Sequence, residues 1–348
     1  MRDHVRVRAT VTARRLTAQL LAGPPAREPV AVAERLLAIQ AQDPRGARLA
    51  IRARSEGLGA ADVDRALSED RSLLITWLNR GTLHLVRTED YAWLHALTTP
   101  PLFTASARRL AQEGVDPDAA DRGVGVIERS LADEGPLTRE QLGERIAAAG
   151  VRTQGQALVH LLMLATLRGL AVRGPMVDAR HAYVLVADWL GAPAPVDRDR
   201  ALAELARRYL AGHGPAGDRD LAKWAGLPLR DARAGLEAIA TEIERRGDGL
   251  LDLSERAPAA ELPAPRLLGA FEPVLLGWGS REPLLGTHGA VVVGNGMFRA
   301  FALVRGRAVA TWRLDRGEVA LEPFVRILRV DAVALEADAD DVVRFLAA

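Results

Sequence analysis

The sequence predicts an α+β chain, mostly helical, in which one helix–turn–helix–hairpin unit occurs three times ahead of a small C-terminal β-barrel-like module. Three observations carry this expectation. Apolar residues recur at three-and-four spacing through most of the chain up to Ala240, in short runs ended by glycine and proline. The order helix, turn, helix, two β-prone runs is repeated. Beyond residues 256–266, where Pro258, Pro263 and Pro265 mark a linker, the texture changes to strands and tight turns. The expected modules are residues 1–120, 121–195, 196–256 and 266–348, and the unit order within each of the first three is that of a winged helix.

Each element has its own signal. Residues 11–22, with Val11, Leu16, Leu20 and Leu21 on one side, read as a helix stopped by Gly23-Pro24-Pro25. A second helix runs from about Val30 through Gln40. Residues 47–55 and 60–67 read as short helices. The apolar run 72–79 reads as a helix leading into a turn at Arg80-Gly81, and residues 82–87 as a β-strand. Thr88 opens another helix, with Glu89 and Asp90 in its first turn, where the helix dipole favours acids. Residues 135–150 and 154–168 form the next helix pair, with Leu158, Leu161, Leu162 and Leu164 expected in the core. Strands follow at 170–173 and 182–186. Gly214-Pro215-Ala216-Gly217-Asp218 opens the order again, with Asp218 as the expected helix cap. A second helix of that unit covers about 229–240, and a hairpin lies near 250–253. In the last module Gly294-Asn295-Gly296 and Arg305-Gly306-Arg307 are hairpin turns between strands, and residues 337–346 form a closing helix.

Composition narrows the function classes. At 348 residues the chain exceeds one ordinary domain, and 49% apolar residues suffice for several cores. There is no cysteine, which removes disulfides, thiolate nucleophiles and cysteine zinc sites. The seven histidines show no metal-ligand spacing, so neither a metal nor another cofactor is expected. Residues 1–16 alternate arginine with small apolar residues and read as neither a secretory signal nor a membrane span, which fits a cytoplasmic protein. Net charge is only +1, so a nucleic-acid partner would require the positive charge to be gathered on one face. Of the 46 basic residues only Lys223 is lysine; arginine suits bidentate phosphate contact, and a GC-rich coding bias gives the same excess.

The most informative stretch is Leu36-Leu37-Ala38-Ile39-Gln40-Ala41-Gln42-Asp43-Pro44-Arg45-Gly46. Val32, Leu36, Leu37 and Gln40 share a face at helical spacing, which puts one amide on an apolar surface. Pro44 ends such a helix and holds Asp43 extended. In a regular helix the amides of Gln40 and Gln42 would point about 200° apart; at an unwound end, residues i and i+2 face the same side. Taken alone, two glutamines near a helix end are most simply solvated or capping groups.

The longer strings Leu37-Ala38-Ile39-Gln40-Ala41-Gln42 and Thr76-Trp77-Leu78-Asn79-Arg80-Gly81-Thr82-Leu83-His84-Leu85-Val86 resemble the AlkZ/YcaQ-like winged-helix DNA glycosylases of bacteria, and the likeness runs from about residue 10 to the end. The Arg-Gly-Thr-Leu-His string is the more specific of the two. The resemblance implies three tandem winged helices with a β-module after them. It also implies a catalytic Gln-apolar-Gln motif, here Gln40 and Gln42, in the two-glutamine branch. One departure is Glu272 in Leu268-Gly269-Ala270-Phe271-Glu272-Pro273, where similar chains carry Asp; any acid role there is in doubt.

The implied chemistry suits the residue types. A purine alkylated at N7 is cationic and leaves without an acid to protonate it. Amide oxygens are too weakly basic to deprotonate water, but they can accept its hydrogen bonds and orient it. The expected partner is therefore double-stranded DNA containing alkylated purines, bound by a monomer. Asp43, Arg45, Arg80, Thr82, His84 and Trp278 are candidates for DNA or pocket contact. Asp43 either holds Gln42 or merely ends a helix. His84 either bonds the backbone in a half-buried position or joins Arg80 at the pocket. Trp189, Trp224 and Trp312 read as core or linker anchors. A non-catalytic winged-helix DNA-binding or regulatory protein is the alternative; it would bind as a dimer, and no dimerisation helix is evident. A metal nuclease lacks its carboxylate cluster.

Overall fold

The computed structural model describes residues 2–192 and 195–348, without the side chains of residues 2–9 and of Asn295. It contains two compact units, Met1–Val63 with Leu202–Ala348, and Asp64–Ala201. Helix predominates over strand in an α+β arrangement.

The first unit opens with α1 (Arg2–Ala18), α2 (Pro29–Leu36), β1 (Ile39–Gln40), α3 (Pro44–Arg52) and α4 (Ala60–Ser68), the last crossing into the second unit. The helix expected to reach Gln40 ends at Leu36. Leu37 takes φ +65°, and Leu36, Leu37, Ala38 and Ile39 are all buried. Four consecutive apolar residues cannot all face one side of a helix. An irregular turn into an extended segment buries every one of them, and that burial overrides helix propensity.

The second unit continues with β2 (Leu73–Leu78), β3 (Thr82–Arg87), α5 (Tyr91–Thr98), α6 (Phe103–Gln112), α7 (Pro117–Glu134), β4 (Leu137–Thr138), α8 (Arg139–Ala148), α9 (Ala157–Leu167), β5 (Ala171–Val177), β6 (Arg180–Leu185) and α10 (Val186–Leu190); α11 (Arg198–His213) leads out of it. Its strands lie in the order β3-β2-β5-β6-β4. The run 72–79 is a strand, not the expected helix. All six residues of β2 are buried, so the run carries no amphipathic period, and Ile75, Thr76 and Trp77 favour extended backbone. From α7 to β6 the order is helix, short strand, helix, helix, hairpin, with β4 paired to β6 at Leu137↔Tyr183. Thr138 and Gln141 form a capping box at the start of α8. Leu161, Leu162 and Leu164 are buried as expected, while Leu158 is half-buried.

Back in the first unit, α11 is followed by α12 (Asp218–Ala225), α13 (Leu229–Ala238), β7 (Ile243–Arg245) and β8 (Leu251–Leu253). Ala216 bridges Leu251, so the element order of α7 to β6 is repeated. Asp218 sits inside α12 and is not its cap; Gly217 caps, and its N–H is taken by the Asp220 carboxylate at 3.0 Å. The chain ends with β9 (Arg266–Leu268), α14 (Pro273–Leu276), α15 (Glu282–Leu285), β10 (Val292–Val293), β11 (Met297–Phe298), β12 (Phe301–Val304), β13 (Arg307–Asp315), β14 (Glu318–Pro323) and α16 (Arg329–Ala347).

The expected β-barrel-like module is an open sheet. Its strands run β14-β13-β12-β9 and do not close. Four strands are about half of what a filled barrel needs. Instead α16, longer than the sequence suggested, packs against β9 and β14 and buries Leu335, Val342 and Phe345. The Gly294-Asn295-Gly296 turn does join two antiparallel strands, β10 and β11, but these are two residues each and stand apart from the main sheet. No helix among the described residues is long and apolar enough to cross a membrane.

Candidate active site

The two glutamines sit on the extended link between α2 and α3. Gln40 ends β1 and is 6% exposed, while Gln42 is exposed. Because the link is extended, residues i and i+2 face the same side, and Gln40 Nε2 donates to Gln42 Oε1 at 2.5 Å. Among the described residues no other group bonds either side-chain amide. Gln40 Oε1 and the second lone pair of Gln42 Oε1 therefore remain as adjacent acceptors.

Asp43 caps α3, accepting the Gly46 N–H at 3.0 Å. Its carboxylate does not bond Gln42; it starts a helix where the sequence suggested the end of one. Pro44 occupies the first helical position, where no N–H is needed. Gly46 is required by packing: a Cβ there would lie 2.4 Å from the carbonyl oxygen of Ala270. This close backbone approach fixes the first turn of α3 against the loop that follows β9. Exposed Arg45 lies beside it, on the wall of a cleft of about 380 Å³ that also includes Arg299, Thr311, Trp312, Arg313 and Glu322.

The Arg-Gly-Thr-Leu-His string forms the β2–β3 hairpin of the second unit. Asn79, at φ +51°, and Gly81, at φ +78°, make the turn, and Arg80 is exposed between them. Thr76 pairs across the ladder with His84, and Leu78 with Thr82, so Thr82 and His84 share a face. His84 is buried; its Nδ1–H donates to the Thr82 carbonyl at 2.9 Å, with Thr82 Oγ1 3.5 Å from Nε2. Burial, reinforced by the nearby Arg80 charge, pushes the imidazole down to about 3. His84 thus bonds the backbone, but in a buried and not a half-buried position, with the Arg80 charge acting on it.

Trp278 belongs to the first unit and follows α14. It is 6% exposed, its indole N–H donates to the His213 carbonyl at 2.9 Å, and the Arg15 guanidinium lies 4.5 Å from its ring centre. It packs edge-on to His213, which stacks on Tyr209 at 4.8 Å. Trp224 and Trp312 are buried, as core anchors should be, and Trp189 is half-buried under Arg71.

Sequence reasoning missed the buried ionic anchor behind the site. Arg54 and Glu272 are both fully buried and paired. Arg54 also donates to the carbonyls of Gln19 (2.7 Å) and Ala50 (2.8 Å) and to Gln19 Oε1 (2.9 Å). Glu272, the residue that departs from the family pattern, is therefore a packing group that also accepts from Val274 N at 3.4 Å. The partners are separated by 218 residues, so no spacing rule could have joined them. Among the described residues no three His, Cys, Asp or Glu side chains are grouped to hold a metal ion.

Comparisons with known proteins agree on one class, the DNA glycosylases, which hydrolyse N-glycosyl bonds. The model of the "DNA glycosylase AlkZ-like" family matches residues 33–345, and the chain belongs to that family. Among curated proteins it is similar to the "Interstrand DNA cross-link repair glycosylase" of Streptomyces sahachiroi, with 28% identity over 339 residues that cover 90% of this chain and 89% of the relative. Among solved structures it is similar to the DNA glycosylase AlkZ of Streptomyces sahachiroi, with a TM-score of 0.76 and 26% identity over 97% of this chain and 96% of that one.

Proposed function

We propose that this chain releases N7-alkylated, cationic purines from double-stranded DNA, with Gln40 and Gln42 orienting the attacking water. The observation that carries the reading is the amide pair: two adjacent acceptor sites, one side chain buried and one exposed, with no acid or base among the described residues bonded to either. A water donating one hydrogen to each oxygen presents its own lone pair to C1′ of the lesion nucleotide. The C1′–N9 bond breaks, its electron pair neutralises the purinium, and the water oxygen bonds C1′ as a proton is released to solvent. The base leaves without a general acid because alkylation has already supplied the positive charge. Buried, neutral His84 does not protonate it.

The recurring helix–strand–helix–helix–hairpin order supports reading the chain as three winged-helix modules that bind the duplex, with one monomer acting on one lesion in the cytoplasm. The relative's name, a cross-link repair glycosylase, supports extending the substrate from methyl adducts to bulky or cross-linked ones. The test is a panel of single-lesion duplexes run side by side. N7-methylguanine and larger N7 adducts are released, leaving alkali-labile abasic sites, whereas uracil, hypoxanthine and 8-oxoguanine stay. Efficient release of a neutral base with no release of a cationic one would sink this reading.

A further inference from the structure

We infer that Arg45 and Arg299 together hold a backbone phosphodiester of the DNA, in the cleft lined by Asp43 and the first turn of α3; this rests on the function proposed above. The cleft, about 380 Å³, has the size of a small-ligand site. Three arginines and two carboxylates line it. Both carboxylates are engaged: Asp43 caps α3, and Glu322 pairs with Arg313 and accepts from Thr311 Oγ1 at 3.4 Å. Arg313 is committed to that pair and lies 3.9 Å from Asp315.

Arg45 and Arg299 are different. Both are exposed, and neither guanidinium has a partner among the described residues. Other arginines along and behind α3 are tied down: Arg52 by Asp338 and Asp341, and Arg54 by Glu272. Two uncommitted guanidiniums lining one concavity leave an excess of fixed positive charge there, and a guanidinium is the group that binds phosphate oxygens in bidentate fashion. Their placement is also rigid. Arg45 is in the first turn of α3, which Gly46 presses onto the Ala270 backbone, and Arg299 precedes β12 with its N–H held by the Val291 carbonyl at 2.9 Å. Since Arg45 is three residues from Gln42, a phosphate gripped here fixes the lesion strand relative to the amide pair. Arg299 has no sequence signal; only the fold brings it beside the motif.

The experiment measures affinity against salt for a short duplex carrying one tetrahydrofuran abasic-site analogue. Wild type is compared with Arg45→Gln and Arg299→Gln, variants that keep side-chain bulk at exposed positions. Each variant is expected to lower the log–log slope by about one and to bind about tenfold more weakly at moderate salt. A second duplex replaces the phosphates flanking the analogue with uncharged methylphosphonates; on it the variants and wild type should bind alike. Unchanged slopes in both variants, or variant effects that persist on the methylphosphonate duplex, overturn the inference. Release of N7-methylguanine by wild type is assayed separately: its absence refutes the proposed function, whereas normal release with unchanged slopes refutes only the phosphate site.

Discussion

Helix α3 has two contrasting ends. At its start, beside the capping Asp43, polar groups are neutral or uncommitted: the Gln40–Gln42 amide pair precedes it, and Arg45 in its first turn has no partner among the described residues. At its far end charge is buried and locked. Arg52 bonds Asp338 and Asp341, each at 2.9 Å, and donates to the Leu267 carbonyl at 2.7 Å; Arg54, just past the last turn, is sealed against Glu272. The difference separates two uses of polar residues. A buried charge paired with its counter-charge specifies how the C-terminal segment docks on α3 and is shielded from a substrate. A neutral amide pair with open acceptors contributes little to folding and remains available for chemistry.

The largest expected effect comes from breaking the closed end. Glu272→Ala leaves the Arg54 guanidinium buried without its counter-charge, a loss of about 3–5 kcal/mol of stability. Denaturant unfolding measures it, and base release per folded molecule should change little. A loss below about 1 kcal/mol would mean that the pair does not hold the unit together.

A smaller effect sharpens the same contrast through pH. His213 lies within the electrostatic reach of Arg54 and is fully buried; burial, with the charges of Arg54, Arg15 and Arg256, pushes its imidazole down to about 3. His84 in the second unit is likewise near 3. Both are neutral in the folded chain across pH 5–7. The unfolded chain takes up protons below the ordinary histidine value of about 6.5, so it binds more protons than the folded chain as pH falls from there towards 3. Stability is therefore full above that value and is lost on acidification. From pH 7 to pH 5 the loss is about 2 kcal/mol per buried histidine, read from urea midpoints at the two pH values. The open end contains no group expected to titrate in the mechanism, so base release by the folded protein should stay flat over the same interval. A rate that follows a histidine titration would contradict the neutral-amide reading.

These contrasts also explain what could be read from sequence. The α+β class, most helix positions, the β12–β13 hairpin and the Gln40–Gln42 juxtaposition follow from local rules: period, turn residues, and an extended segment imposed ahead of Pro44. The errors arose where burial is uniform. In Leu36–Ile39 and in β2 every side chain is inside, so no face distinguishes helix from strand, and the sequence pattern alone favours helix in both. The C-terminal sheet is open where the sequence predicts a barrel-like module, because strand signals say nothing about closure and α16 packs against its strands instead. Arg54–Glu272 and the Arg45–Arg299 cleft join residues more than 200 positions apart. One sequence contains no record of such pairings until the fold supplies it.

The central claim is that the amide pair carries the chemistry without holding the fold. Single-turnover release of N7-methylguanine from a duplex, measured for wild type, Gln40→Ala and Gln42→Ala, tests it most directly. The account predicts that each substitution slows release by about 100-fold or more while unfolding free energy changes by about 1 kcal/mol or less. Wild-type rates in both variants, or slow release explained entirely by unfolding, would contradict it.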